Sequence, residues 1–378
     1  MTHRPRRILM TVDAVGGVWR YAVDLAGALG DTGIETVLAV LGPAPSETQR
    51  AEVAALRRVT LVETGEPLDW LTDDAVAVRH AAATIAALAI RHRVDLLHVN
   101  QPALIPGLTG DLPVVAVAHG CVSTWWEAAR PGTPLDPAFA WHRALVADGL
   151  RRADCVVAPS ESYAHTIARH YGLTAAPIAV HNGRTPPLVA PVATRHIAFT
   201  AGRLWDEVKR TPLLDAAAGR LAVPLYAAGP TRAPHGASVP VEHLHLLGEL
   251  TPDGIGAMLA AQPVFVSAAS FEPFGLAVLE AAQAGCPLIL SDIDTFRELW
   301  DGAAHFVAGD DPAAWADAIA EVMGDDAERA RLADAALARG AHFTVGATAK
   351  AMRALYTDAR RAAATAGNPA GTSERVAA

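Results

Sequence analysis

Lysine is nearly missing from this chain of 378 residues: Lys209 and Lys350 are the only two, and arginine supplies every other permanently basic side chain. Cysteine is scarce as well. Cys121, Cys155 and Cys286 are odd in number, far apart and without a Cys-x-x-Cys spacing, which argues against a disulfide framework or a zinc site and makes the cytoplasm the natural compartment. Positive charge is in deficit: 31 Lys and Arg against 40 Asp and Glu give a formal net charge of −9, which excludes a general nucleic-acid binder, because phosphate affinity needs a basic face. No apolar run reaches the roughly 18 residues of a spanning helix. The basic start, residues 3–7, runs after a few apolar residues into Asp13, which is the pattern of a first strand and not of a signal peptide. No His-Glu-x-x-His and no Gly-x-Ser-x-Gly occurs, so neither a zincin nor a serine-hydrolase elbow is indicated.

What the chain has in quantity is apolar residues, 51% of the total, and a length that points to two domains of ordinary size. Short apolar runs alternate with alanine-rich helical stretches. In the first half, strands are expected at 8–12, 35–41, 59–63, 96–100, 112–118, 154–160 and 178–183, with helices at 19–29, 75–92 and 162–171. In the second half, strands are expected at 196–201, 224–228, 243–247, 263–267 and 287–291 and a last one within 301–309, with helices at 276–284, 312–323 and 345–361. Such alternation predicts α/β architecture with mostly parallel sheets. Between the halves, residues 184–191 carry three prolines and no periodicity and read as a linker; residues 362–378 read as a disordered tail.

Chemistry-bearing residues fall where these strands end, the edge at which parallel sheets bind ligands. Glu272 precedes an apolar helix opened by Pro273 and Gly275, and Glu280 sits inside that helix among Leu, Ala and Val, where a carboxylate needs a partner. The pattern alone equally allows a solvated loop acid and a wet helix face. Gly16-Gly17 lets backbone approach a ligand but lacks the Gly-x-Gly-x-x-Gly form. His119, beside Gly120 at a strand end, is either a ligand contact or a cap of the strand. Gly202-Arg203-Leu204 with Lys209 gathers positive charge and free N–H groups as a diphosphate grip does, Arg as a fork and Lys as a point charge. Keeping one of two lysines here points to a need for the ammonium. Trp125, Trp126, Glu127, Trp141, His142 and Arg143 suit a sugar, or serve as packing. Arg91-His92-Arg93 reads as a solvated helix end and leaves peripheral contact with a membrane surface open.

The segment Glu272-Pro273-Phe274-Gly275-Leu276 followed by Glu280 resembles the E-x7-E motif of the retaining GT-B glycosyltransferases of family 4, the group 1 glycosyl transferases. Gly202-Arg203-Leu204…Lys209 resembles that family's donor-phosphate site, Gly16-Gly17 its first loop, and Asn182-Gly183 its hinge. In the first loop Trp19 replaces the usual small residue before Arg20, which implies a differently shaped acceptor pocket. The likeness spans about residues 7–360. It implies two Rossmann-like doubly wound parallel-sheet domains facing a cleft: an acceptor-side domain over 1–184, a linker over 185–194, a donor domain over 195–342 and a helix over 343–361 crossing back, ahead of the tail 362–378. It implies a hexosyltransferase that moves a sugar from a nucleotide-diphosphate sugar to an acceptor hydroxyl on a bacterial polysaccharide, glycolipid or small metabolite, in the cytoplasm or at the inner face of the membrane. His119, Arg203, Lys209 and Glu272 would be catalytic. Gly16, Gly17, Arg203, Lys209, Glu272, the backbone of Phe274, Gly275 and Leu276, and Glu280, on the ribose, would bind the donor. No cofactor and no metal is implied, and Asp292-Ile293-Asp294 is read as a loop acid pair. A nucleotide-sugar epimerase on the same fold and a non-catalytic nucleotide-sugar binder are the alternatives.

Overall fold

The computed structural model describes residues 4–185 and 192–366. Thirteen strands in two sheets organise it. The first sheet holds β1 (Arg7–Asp13), β2 (Glu35–Leu41), β3 (Val59–Glu63), β4 (Leu96–Val99), β5 (Val114–Val117), β6 (Cys155–Ala158) and β7 (Ile178–Ala179), in the order β3-β2-β1-β4-β5-β6-β7. The second holds β8 (Ala198–Ala201), β9 (Leu225–Ala228), β10 (His245–Gly248), β11 (Val264–Ser267), β12 (Leu288–Ser291) and β13 (His305–Val307), in the order β10-β9-β8-β11-β12-β13. Every pair is parallel. Each order reverses beside the sheet's first strand, between β1 and β4 and between β8 and β11, and a doubly wound sheet opens a ligand crevice at such a reversal.

The strands are continuous apolar runs because helices cover both faces. On one face of the first sheet Leu9, Val37, Leu97 and Val99 pack with the helices Ala75–Arg91, Ala140–Arg152 and Glu161–Tyr171. On the other, Ile8, Met10, Val12 and Leu38 pack with Gly17–Asp31 and with Met352 and Tyr356 of the last helix, Val345–Ala366. That helix follows the second domain in sequence yet completes the first domain's core. Tyr356, fully buried, reaches β4 through a 2.7 Å hydrogen bond with His98 Nδ1. The helix runs five residues past its expected end at Arg361, because Ala362, Ala363 and Ala364 are strong helix formers. The expected tail therefore cannot begin at 362; residues 367–378 lie outside the described residues, as do 186–191 of the expected linker.

Several contacts hold the two sheets at a fixed approach. Gly183 passes so close to the start of the last helix that a Cβ would lie 2.1 Å from the Thr344 carbonyl carbon. His181 accepts a hydrogen bond on its carbonyl from Thr348 Oγ1 at 2.8 Å. Glu298 of the second domain receives the N–H groups of Glu161 and Ser162 at 2.9 and 2.7 Å, capping a first-domain helix across the interface. Burial opposes ionisation of Glu298, but those bonds and His181 hold its carboxyl down to about 2. Arg184 bridges Asp24 on the first helix and Glu280 on Leu276–Gln283.

Candidate active site

The second domain's contribution begins where β8 ends. Gly202 (φ +155°) and Gly229 (φ +131°) lie back to back, and a Cβ on Gly229 would sit 1.8 Å from the Gly202 carbonyl oxygen, so both need glycine. The chain then folds into a short turn. Asp206 N–H donates to Arg203 O at 2.9 Å and Lys209 N–H donates to Asp206 O at 2.8 Å, which brings Arg203 and Lys209 to one side. The Asp206 carboxylate, about 2% exposed, accepts from Arg203 Nη2 at 2.8 Å and from Trp125 Nε1 of the first domain at 2.8 Å. Such a fixed partner spares the guanidinium rotamer freedom on binding an anion. Lys209 Nζ is ion-paired with Glu272.

Glu272 stands in the turn between β11 and the helix Leu276–Gln283. Gly275 at the helix start has φ +93°, and Phe296 lies close against it, 3.1 Å from where a Cβ would be. The free N–H groups of this helix's first turn, beginning at Leu276, border the cleft, an arrangement that suits anions. The Phe274 side chain is buried against Phe343, so only its backbone is on offer. Glu280 stands apart from this group. It is absent from the residues lining the cleft, and its carboxylate accepts from Arg184 Nε at 2.8 Å, the partner its apolar neighbours require.

The first domain supplies the opposite wall. A Cβ on Gly16 would meet Arg203 Nη1 at 3.4 Å and one on Gly17 would meet Leu276 Cδ1 at 3.5 Å, so the glycine turn lies directly over the arginine and the helix start. At the β1/β4 reversal, Asn100 donates through Nδ2 to Thr11 O at 2.6 Å, which fixes its amide. Its Oδ1 then accepts from Nε2–H of His119 at 2.8 Å and of His98 at 3.0 Å. Burial keeps both imidazoles neutral, so with Nε2–H donated each Nδ1 is bare or accepting. Burial pushes His119 down to about 3, with His98 nearby adding to it, and burial holds His98 at about 4 despite its bond to Asn100. Tyr21 packs edge-on to His119 with centroids 4.5 Å apart.

Trp19 and Arg20 do not shape this wall. Trp19 is 2% exposed, its indole donates to Glu52 at 3.3 Å, and Arg20 pairs with the same carboxylate, so both turn away from the cleft toward the helix Glu47–Ala54. Trp125, Trp126 and His142 do border it, whereas Glu127 pairs with His170 and Trp141 packs against His142. Two acids unremarked in the sequence lie there as well. Asp13, at the end of β1, accepts from Val15 N–H at 3.0 Å, and its carboxyl is raised by burial, with Arg203 pulling the other way and Asp69 adding to the rise. Asp69 pairs with His142 Nε2 at 3.0 Å.

These walls enclose a cleft of about 1180 Å³ that contains Gly16, Gly17, His119, Arg203, Lys209, Glu272, Phe274, Gly275 and Leu276, all the expected site residues except Glu280. Asp13, Asp69 and Asp206 were missed. Asp13 had a signal, a carboxylate closing a buried strand ahead of the glycine pair; Asp69 and Asp206 lie in loops whose course only the fold reveals. Among the described residues no group of three or more His, Cys, Asp or Glu side chains is placed to hold a metal, and Asp292 is held by Arg297 at 2.6 and 2.8 Å.

Comparison with known proteins gives this geometry a family. Residues 15–183 match the model of "Glycosyltransferase Family 4" and residues 195–325 that of "Glycosyl transferases group 1". A D-inositol 3-phosphate glycosyltransferase of Corynebacterium diphtheriae is 25% identical over 395 residues, covering 91% of this chain and 90% of that protein. A phosphatidyl-myo-inositol mannosyltransferase of Mycobacterium leprae is 37% identical over 94 residues, 24% of this chain and 25% of that one. Among solved structures, a sucrose-phosphate synthase from Thermosynechococcus elongatus superposes with a TM-score of 0.77 at 18% identity, over 94% of this chain and all of that one. Anabaena Alr3699/HepE in complex with UDP-glucose does so with 0.72 at 17%, over 93% and 99%. No helix among the described residues is long and apolar enough to cross a membrane. The two paired sheets, the cleft between them and both family matches together establish that the chain belongs to the family 4, group 1 glycosyltransferases of the GT-B fold, enzymes that use a nucleotide-sugar donor.

Proposed function

We propose that the chain is a retaining, metal-independent hexosyltransferase of the cytoplasm, which binds a nucleotide-diphosphate sugar on its second domain and an acceptor hydroxyl on its first. The observation that carries this reading is the convergence of Arg203, Lys209 and the start of the helix Leu276–Gln283 on one point of the cleft, facing Gly16 and His119. Together they form a cationic, N–H-rich grip for a leaving diphosphate, and stabilising the charge that grows there is usually the largest electrostatic contribution to catalysis. Because side chains and backbone supply the positive charge, the grip has no need of a divalent ion.

The Lys209–Glu272 pair gives the donor site a defined exchange. A diphosphate draws the ammonium away, and the released Glu272 carboxylate accepts from sugar hydroxyls. Neutral His119, donating Nε2–H to Asn100, offers a lone pair to a sugar hydroxyl and not a cation. With Glu272 assigned to the sugar hydroxyls, the acceptor attacks from the face the diphosphate leaves, and a phosphate oxygen takes its proton. The roomy, aromatic wall of the first domain favours a transferase over an epimerase, which needs no acceptor. The names of the inositol-linked relatives, carried over, would put a phosphorylated polyol against that wall. Lys209→Ala tests the donor grip: release of nucleoside diphosphate should fall about 100- to 1000-fold, and undiminished turnover sinks the assignment.

A further inference from the structure

We infer that the acceptor of this enzyme is a polyol that carries no phosphate group, bound through its hydroxyls to the carboxylates of Asp13 and Asp69. The inference rests on the transferase reading and extends it to the acceptor's chemical class. It starts from the charges on the first domain's side of the cleft. Asp13, Asp69, Asp73 and Asp136 border it, and Arg130 is the one Arg or Lys among the lining residues of that domain. Asp13 and Asp69 are the deep ones, at 7% and 8% exposure.

Arg130 is already engaged. Its Nη2 donates to Glu207 at 2.8 Å, and its guanidinium stacks 4.1 Å from the Trp126 ring centroid. Arg20, the base expected to face an acceptor, is paired with Glu52 behind the wall. The second domain's Arg203 and Lys209 face the donor's diphosphate. A phosphate monoester on the acceptor would thus lie in a half-enclosed space beside two buried carboxylates with no cation of its own, where like charges repel more strongly than in water.

The same wall suits hydroxyl groups. A carboxylate accepts strong, short bonds from O–H donors, and Trp70 and Trp125 in the same wall supply aromatic surface for the C–H side of a ring. A second, independent feature agrees. His142 lines the cleft, is 2% exposed, pairs through Nε2 with Asp69, and leaves Nδ1 buried without any hydrogen-bond partner. That unpartnered nitrogen is matched by a hydroxyl, which can both donate and accept.

The test uses the full chain and matched acceptor pairs: myo-inositol and its 3-phosphate, glucose and glucose 6-phosphate, fructose and fructose 6-phosphate. Each is incubated with the nucleotide sugars, and product is read by mass spectrometry beside nucleoside diphosphate released with water alone. Expected is transfer to unphosphorylated members, at least tenfold faster than to their esters. A faster ester in any pair, or no transfer to any unphosphorylated member, overturns the inference. Release with water separates the two levels: release without the expected preference refutes the acceptor class alone, while no release with any nucleotide sugar refutes the transferase reading and this inference with it. Asp69→Asn with Asp13→Asn, a nearly isosteric pair of changes, should shrink the preference at least tenfold. An unchanged preference in a folded double variant removes these carboxylates from the recognition.

Discussion

Replacing Arg184 by alanine removes the cation that bridges two acids belonging to different domains. Arg184 is 10% exposed, and Asp24 and Glu280 are each 20% exposed; its Nε donates to Glu280 at 2.8 Å and its Nη1 holds Asp24. Without it two carboxylates face each other at a half-closed interface. Removing one partner of a fully buried pair destabilises by about 3–5 kcal/mol, and since both acids retain a fifth of their exposure the loss at neutral pH should be nearer 2–4 kcal/mol. For a chain of this size, with an unfolding entropy of about 2.1 cal/mol/K per residue, that is about 2.5–5 °C in Tm by differential scanning fluorimetry. The pH dependence is diagnostic. Burial already raises the Asp24 carboxyl while Arg184 lowers it, so in the variant it rises further above its unfolded value. The folded variant then binds more protons than the unfolded chain, and its deficit relative to wild type must shrink as pH falls toward the carboxyl range. Adding Asp24→Asn and Glu280→Gln should recover most of the loss. A deficit under about 0.5 kcal/mol, or one that widens on acidification, would refute the reasoning.

Other consequences are as definite. His98 and His119, held at about 4 and about 3 against an ordinary 6.5, stay neutral in the folded chain while the unfolded chain protonates. Their contribution is complete above pH 6.5 and is lost as pH falls toward 4, on the order of 3 kcal/mol for His98 alone; urea midpoints across that range check it, and a flat profile contradicts it. Gly229→Ala forces a Cβ onto the Gly202 carbonyl at a positive φ, so Arg203 shifts: donor KM should rise at least tenfold, and unchanged KM would show that the turn does not set the grip. Lys209→Ala leaves one carboxylate unpaired where Arg184→Ala leaves two, so it should cost about 1–2 kcal/mol of stability, while turnover falls as given above.

Parallel strands flanked by helices write themselves as apolar runs of four to seven residues, which is why the sequence marked all thirteen strand positions, often a residue or two too wide. Helices whose buried stripe is small escaped. Asp326–Gly340 buries Leu332, Ala336 and Gly340 under a charged surface and carries little apolar contrast. Arg203, Lys209, Glu272 and the glycine turns were legible because they fall just past strand ends, the edge at which parallel sheets bind ligands. The cross-domain partners were not: Asp206 with Trp125, Glu298 with the 161–162 amides, and Arg184 with Asp24 and Glu280 are pairs separated by 81 to 160 positions, and no local pattern links them. Trp19 and Arg20 show the converse. Their motif position suggested the acceptor pocket, and only the helix's rotation, which points them at Glu52, excludes it.

The donor grip is tested most directly by thermal shift of the full chain with UDP, GDP, ADP and their sugar conjugates, each with and without a chelator. A nucleoside diphosphate at about 100 times its Kd should stabilise by roughly 2.7 kcal/mol, to the same extent with chelator present, and the shift should vanish in Lys209→Ala. No shift with any nucleotide, or one that the chelator abolishes, would contradict a grip built from Arg203, Lys209 and the helix start.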